Sequence, residues 1–63
     1  MKRREFERKM RQSGWSLLRE GGSHAYWVKN GVRFALPRHN EVKPGIARQW
    51  EAANREANEK GED

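Results

Sequence analysis

The stretch His24-Ala25-Tyr26-Trp27-Val28-Lys29-Asn30-Gly31-Val32-Arg33-Phe34-Ala35-Leu36-Pro37 decides the fold. Asn-Gly between two runs rich in β-branched and aromatic residues is the strongest short signal for a two-residue hairpin turn. His24–Lys29 and Val32–Leu36 are therefore read as antiparallel strands. Alternation sets Val32, Phe34 and Leu36 on one face of the later strand, with Arg33 turned the other way, towards water or a ligand. On the earlier strand the same alternation groups Tyr26 with Val28 as the apolar set and leaves Trp27 facing outward. Pro37 cannot donate to a ladder and is expected to end the run.

Upstream, Gly21-Gly22 marks a second turn, and Trp15–Glu20 reads as the first strand of a meander. Lys2–Ser13 before it reads as a helix, because Phe6 and Met10 stand four apart on one face while Arg3, Arg4, Arg8 and Arg11 occupy much of the rest. Gly14 falls where a left-handed C-cap would sit. So narrow an apolar stripe needs a sheet to lie on. Downstream of the polar loop Arg38-His39-Asn40-Glu41, a second helix opens near Lys43-Pro44, where a proline's missing N–H costs nothing. Ile46, Trp50, Ala53 and Ala57 form its stripe, and residues 59–63 are expected to fray. Trp15 and Trp50 both read as core. The order α-β-β-β-α predicts one α+β domain over residues 1–63: a three-stranded antiparallel sheet with two helices on one face and the other face open.

Charge directs the function. The 63 residues hold 14 Lys and Arg against 9 Asp and Glu, a net charge of +5, with no cysteine. Residues 1–48 carry twelve basic and four acidic side chains, a net of +8; residues 49–63 carry two and five, a net of −3. A basic body with an acidic tail favours a polyanionic partner, above all nucleic acid. Without cysteine there is no disulfide, thiolate nucleophile or Cys-based zinc site. No apolar run is long enough to span a bilayer or act as a signal peptide, so the expectation is a soluble, cytoplasmic domain with no membrane partner.

The chemistry open to such a chain is narrow. His24 and His39 are its only imidazoles, fifteen apart, with no carboxylate at ligand spacing beside either, so neither metal nor cofactor is expected. No nucleophile-elbow motif is present, and Gly21-Gly22-Ser23 lacks the following Lys-Ser or Lys-Thr pair of a phosphate loop. Phosphodiester chemistry on RNA remains, since an imidazole can take the proton of a ribose 2′-OH or an imidazolium can protonate the leaving 5′-oxygen. His24 follows a small, flexible turn and starts a strand at the end of the sheet, which presents its ring to a ligand. A lone histidine is more often a solvated hairpin residue, and spacing alone leaves both readings open. His39 reads as an exposed loop residue or a second proton donor. Arg19, Lys29, Arg33, Arg38 and Lys43 are candidate phosphate contacts as a group. Lys43 comes first among them, because the free N–H groups of a helix start also attract phosphate. Trp27, if outward, would stack on a base or be covered by a partner protein.

The run Gly14-Trp15, Arg19, Gly22-Ser23-His24 and Tyr26, continuing through Asn30-Gly31, Leu36-Pro37, His39 and Glu41-Val42-Lys43-Pro44-Gly45, resembles the HicA toxins of bacterial and archaeal toxin–antitoxin pairs. The resemblance runs from the first helix to roughly Ala53. It implies a double-stranded-RNA-binding-domain-like fold and a ribosome-independent mRNA interferase, an endoribonuclease that stops translation and is silenced by a HicB antitoxin. It also implies that His24, the histidine of the Gly-Ser-His motif, is catalytic, with Gly22 and Ser23 shaping its loop. The chain departs from the family pattern at Ile46, where a threonine is usual, and at Trp50, which replaces a smaller aliphatic residue. Two other readings compete: a non-catalytic RNA-binding module of the same fold, and a small subunit that docks on another protein through the Trp27 face.

Overall fold

In a computed structural model of the chain, which describes residues 1–61, Asn30 and Gly31 take φ of 49° and 81°. Two successive positive values make the mirror-image turn whose twist matches that of the flanking strands. The turn joins β2 (His24–Lys29) to β3 (Val32–Pro37), and β1 (Ser16–Glu20) pairs antiparallel on the other side of β2, giving the order β1-β2-β3. Helices α1 (Arg3–Gln12) and α2 (Pro44–Lys60) complete an α-β-β-β-α, double-stranded-RNA-binding-domain-like α+β fold. β3 runs one residue beyond the expected Leu36. A proline is tolerated there because β3 is an edge strand, and Pro37 lies opposite His24. α2 begins at Pro44 and extends through Lys60; of the tail expected to fray, residues 62 and 63 lie outside the described residues.

Just past the end of α1, Gly14 takes φ 92°, and there the Trp15 N–H reaches the Met10 carbonyl and the Gly14 N–H reaches that of Arg11. This pair of bonds satisfies orphan carbonyls of the last turn and swings the chain into β1. The start of α1 is anchored by backbone pairing to the loop before α2: Arg3 N–H donates to Asn40 O at 2.8 Å and Val42 N–H to Met1 O at 2.7 Å. The 38–43 loop is thereby held against the helical layer.

The core lies between the sheet and the two helices. Phe6 and Met10 of α1, Trp50 and Ala57 of α2, and Trp15, Val32, Phe34, Leu36 and Val42 are all buried in it. Phe6 and Trp50 meet edge to face with ring centroids 5.3 Å apart, and the Trp15 indole N–H donates to Asn54 Oδ1 at 2.9 Å, fastening β1's entry to α2. Trp15 and Trp50 are core residues, as expected.

The assignment of faces on β2 is corrected. Ala25 and Trp27 point into the core, Trp27 being fully buried, while Tyr26 and Val28 lie on the open face. The register explains it: the two-residue turn pairs Lys29 with Val32, Trp27 with Phe34 and Ala25 with Leu36, and residues directly opposite share a face. Burying an indole removes roughly 150–250 Å² from water, about 4–6 kcal/mol at 25 cal/mol per Å². That exceeds the roughly 1–3 kcal/mol cost of leaving its N–H without an acceptor, which is the case for both Trp27 and Trp50. Arg11 closes over the Trp27 ring, 5.1 Å from its centroid, and Lys9 over Trp50 at 5.6 Å.

Candidate functional site

The hairpin between β1 and β2 carries the Gly-Ser-His segment at its turn. Gly21 N–H donates to His24 O at 2.8 Å, so the chain reverses within four residues and delivers the His24 side chain at the first position of β2. The turn is clamped from β3's end by Arg38, whose backbone N–H donates to Ser23 O and whose Nη1 donates to Gly21 O, both at 3.2 Å. Gly21 also lies close beneath Tyr26: a Cβ on it would come 3.0 Å from the Tyr26 ring. Any larger residue there would make the Tyr26 ring or the loop give by a few tenths of an ångström.

His24 is half-buried on the open face of the sheet. Its Nδ1 and Ser23 Oγ lie 3.1 Å apart, a hydrogen bond whose direction is set by the ring tautomer. Among the described residues no protein group bonds Nε2, so that nitrogen is available to a ligand as acceptor or donor according to protonation. Tyr26 stands beside it, ring centroids 6.4 Å apart.

Arg19 reaches this group through an irregularity in β1. Leu17 pairs with Trp27 but Arg19 pairs with Tyr26, so Leu18 is an extra residue opposite β2. In a regular ladder Arg19 would oppose Ala25 on the core side. The bulge turns it to the open face instead, where its guanidinium stacks 4.8 Å from the Tyr26 ring centre. Ser23, His24, Tyr26, Arg19 and Arg38 thus form one cluster.

The remaining basic residues divide. Arg33 is exposed on the same open face, paired with Val28. It sits four residues along the strand from the His24 row, about 13 Å at 3.3 Å per residue. Lys43 is the exposed residue before α2 and forms part of a groove with Pro37, whose strand partner is His24. Lys29 is corrected: its Nζ donates to Ser13 O at 2.5 Å and to Asn58 Oδ1 at 2.6 Å. On the core side, at α1's carbonyl end, this ammonium braces α1 to α2 rather than facing the open sheet. Trp27 is likewise withdrawn as a stacking platform, since burial leaves no ring face for a base.

Sequence reasoning missed Tyr26 as a neighbour of His24, and it missed the concavity in which Lys2, Arg3, Arg4 and Arg8 stand with Glu5, Glu7 and Glu41 beside Asn40. The first was readable from the hairpin register once the turn had been identified. Among the described residues no three His, Cys, Asp or Glu side chains gather where a metal ion could be held, and no helix is long and apolar enough to cross a membrane.

A histidine with a free ring nitrogen, beside guanidinium groups on an uncovered face, can move a proton at a phosphodiester while the cations balance its charge. No curated protein and no solved structure matches the chain. A family model does, described as the HicA toxin of bacterial toxin–antitoxin systems, over residues 3–52, a span that takes in both hairpins, the 38–43 loop and the first half of α2. The chain belongs to the HicA toxin family.

Proposed function

We propose that this toxin is a metal-independent endoribonuclease acting on mRNA, with His24 as the proton-transfer group. The observation that carries the reading is His24 itself: half-exposed, held by Ser23, and set on the one sheet face that neither helix covers. In the reaction the ribose 2′-oxygen attacks the adjacent phosphorus and the P–O5′ bond breaks. The 2′-OH proton is lost, the 5′-oxygen gains one, and the products are a 2′,3′-cyclic phosphate and a 5′-hydroxyl end. His24 serves at one or both of these transfers, contributing on the order of 10²–10⁴-fold. Ser23 orients the ring. Arg19, Arg38 and Lys43 bind phosphate near the reacting group, and Arg33 binds it further along the strand. mRNA as substrate puts this action in the cytoplasm.

The toxin's partner is an antitoxin, and we infer a HicB-like protein that covers the Ser23–His24 surface. Addition of that partner is expected to stop cleavage; cleavage that continues in the stoichiometric complex would refute this placement.

The reading is tested with one RNA oligonucleotide and its copy carrying a single 2′-deoxy residue at the cleaved position. The chain is expected to bind both alike and to cut only the first. Equal cutting would exclude attack by the 2′-oxygen, and binding of both with no cutting of either would leave a non-catalytic RNA-binding module.

A further inference from the structure

Between the end of β3 and the first turn of α2 lies a groove of about 230 Å³. Its floor is buried Leu36 and Val42, its walls are Pro37 and Ile46, and His39 and Lys43 stand at its rim. We propose that this groove receives one unpaired nucleobase of a single-stranded RNA, with the adjoining phosphate on Lys43. This makes it a base-selecting subsite next to His24, and the inference rests on the RNA reading above.

Three observations fix the occupant. The first is size: pockets for drug-sized ligands run from roughly 300 Å³ upward, so this one has room for a single ring system. The second is position: Pro37 is the strand partner of His24, and residues so paired have Cα atoms only about 4.5–5.5 Å apart. A nucleotide seated against Pro37 therefore adjoins the one whose phosphate His24 addresses. The third is the mixture of surfaces. An apolar slot with an imidazole at its mouth suits a base, which stacks on rings and buries its faces. The Lys43 ammonium, with no ion-pair or hydrogen-bond partner among the described residues, suits the phosphate that every base carries with it. Glu41, also at the rim, lies 3.6 Å from the Met1 ammonium, which offsets its charge. Its carboxylate can accept from an exocyclic amino group, a feature that cytosine and adenine present and uracil lacks.

The test measures binding, so that it stays separate from catalysis. The His24→Ala chain is titrated with single-stranded hexanucleotides of A, C or U and with an abasic ribose-phosphate hexamer of equal charge. At least one base-bearing hexamer is expected to bind about tenfold tighter than the abasic one, the scale of one stacked base. Ile46→Gln and His39→Ala should each remove most of that excess and leave abasic affinity unchanged. Glutamine at the third helical position is compatible with the helix start, and His39 is an exposed loop residue whose truncation leaves the core intact. No excess for any base, or an excess that survives both substitutions, overturns the proposal. So does loss of antitoxin binding in the two variants with base-dependent affinity retained, which would assign the groove to the partner protein. Base-dependent binding lost in both variants, together with an inactive wild-type chain, would uphold the groove and refute the nuclease reading alone.

Discussion

At the scale of single residues, three side chains separate the surface proposed to meet RNA from the structure that supports it. Trp27 is fully buried among Phe34, Leu36 and the helices. Trp27→Ala should cost about 3–5 kcal/mol, which consumes most of the roughly 3–9 kcal/mol expected of a chain this long. Urea denaturation followed by circular dichroism should show that loss; a variant of unchanged stability with weakened RNA binding would instead mean an exposed indole. Lys29 braces Ser13 and Asn58. Lys29→Met keeps most of the stem and loses the ammonium, so unfolding free energy should fall by about 1–2 kcal/mol, read from urea denaturation. The salt slope of RNA binding should not change, because this charge is committed within the protein; a slope reduced by one contact would return Lys29 to the interface. The position of His24 at the start of a strand, after the small turn that holds Ser23, was legible in the sequence. Trp27 and Lys29 were misplaced because alternation divides a strand into two sets without saying which is inside, and Ala25 with Trp27 is as apolar a set as Tyr26 with Val28. The register imposed by the Asn30–Gly31 turn settles it: whatever opposes Val32, Phe34 and Leu36 must face the core.

At the scale of elements, the β1–β2 hairpin is the device that assembles the site. Its turn approaches Tyr26 so closely that Gly21→Ala would press a Cβ to 3.0 Å from the ring and 3.3 Å from the His24 carbonyl. The Tyr26 ring or the loop bearing His24 must give by a few tenths of an ångström, where a displacement of about 1 Å would be worth up to roughly 10²-fold in rate. Gly21→Ala should therefore lower the cleavage rate by up to about tenfold while the melting temperature moves by only a few degrees; unchanged cleavage would show that the loop's position is not critical. The elements themselves were legible, since each carries its own local signal: Asn-Gly for the hairpin, Gly14 for the end of α1, Pro44 for the start of α2, and the Ile46–Trp50–Ala53–Ala57 stripe for its buried side. The bulge at Leu18 was not. Nothing in Ser16-Leu17-Leu18-Arg19-Glu20 marks an extra residue, and only pairing with β2 reveals that Arg19 has been turned to the open face. That register shift brought Arg19 to Tyr26, so the site's second cation was named from the sequence but not located.

At the scale of the whole molecule, both helices cover one side of the sheet; Arg19 and Arg33 lie on the other side and Arg38 and Lys43 at its rim, while six of the twelve basic residues of 1–48 lie in or beside α1. Affinity for single-stranded RNA should fall steeply with salt, each phosphate contact adding about 0.7 to the slope of log affinity against log salt. Arg33→Ala and Lys43→Ala are each expected to lower that slope by about one contact; an unaltered slope in either would remove that residue from the interface. The basic body was legible from composition. Which arginines share a face depends on register and could be read only in the folded chain.

The measurement that bears most directly on the central claim is single-turnover cleavage of RNA in excess EDTA by the wild-type chain and by His24→Ala, with circular dichroism showing the same fold for both. Cleavage to cyclic-phosphate ends is expected from the first, and a rate at least about 10²-fold lower from the second. Equal rates, or cleavage that disappears from the wild-type chain when EDTA is added, would contradict it.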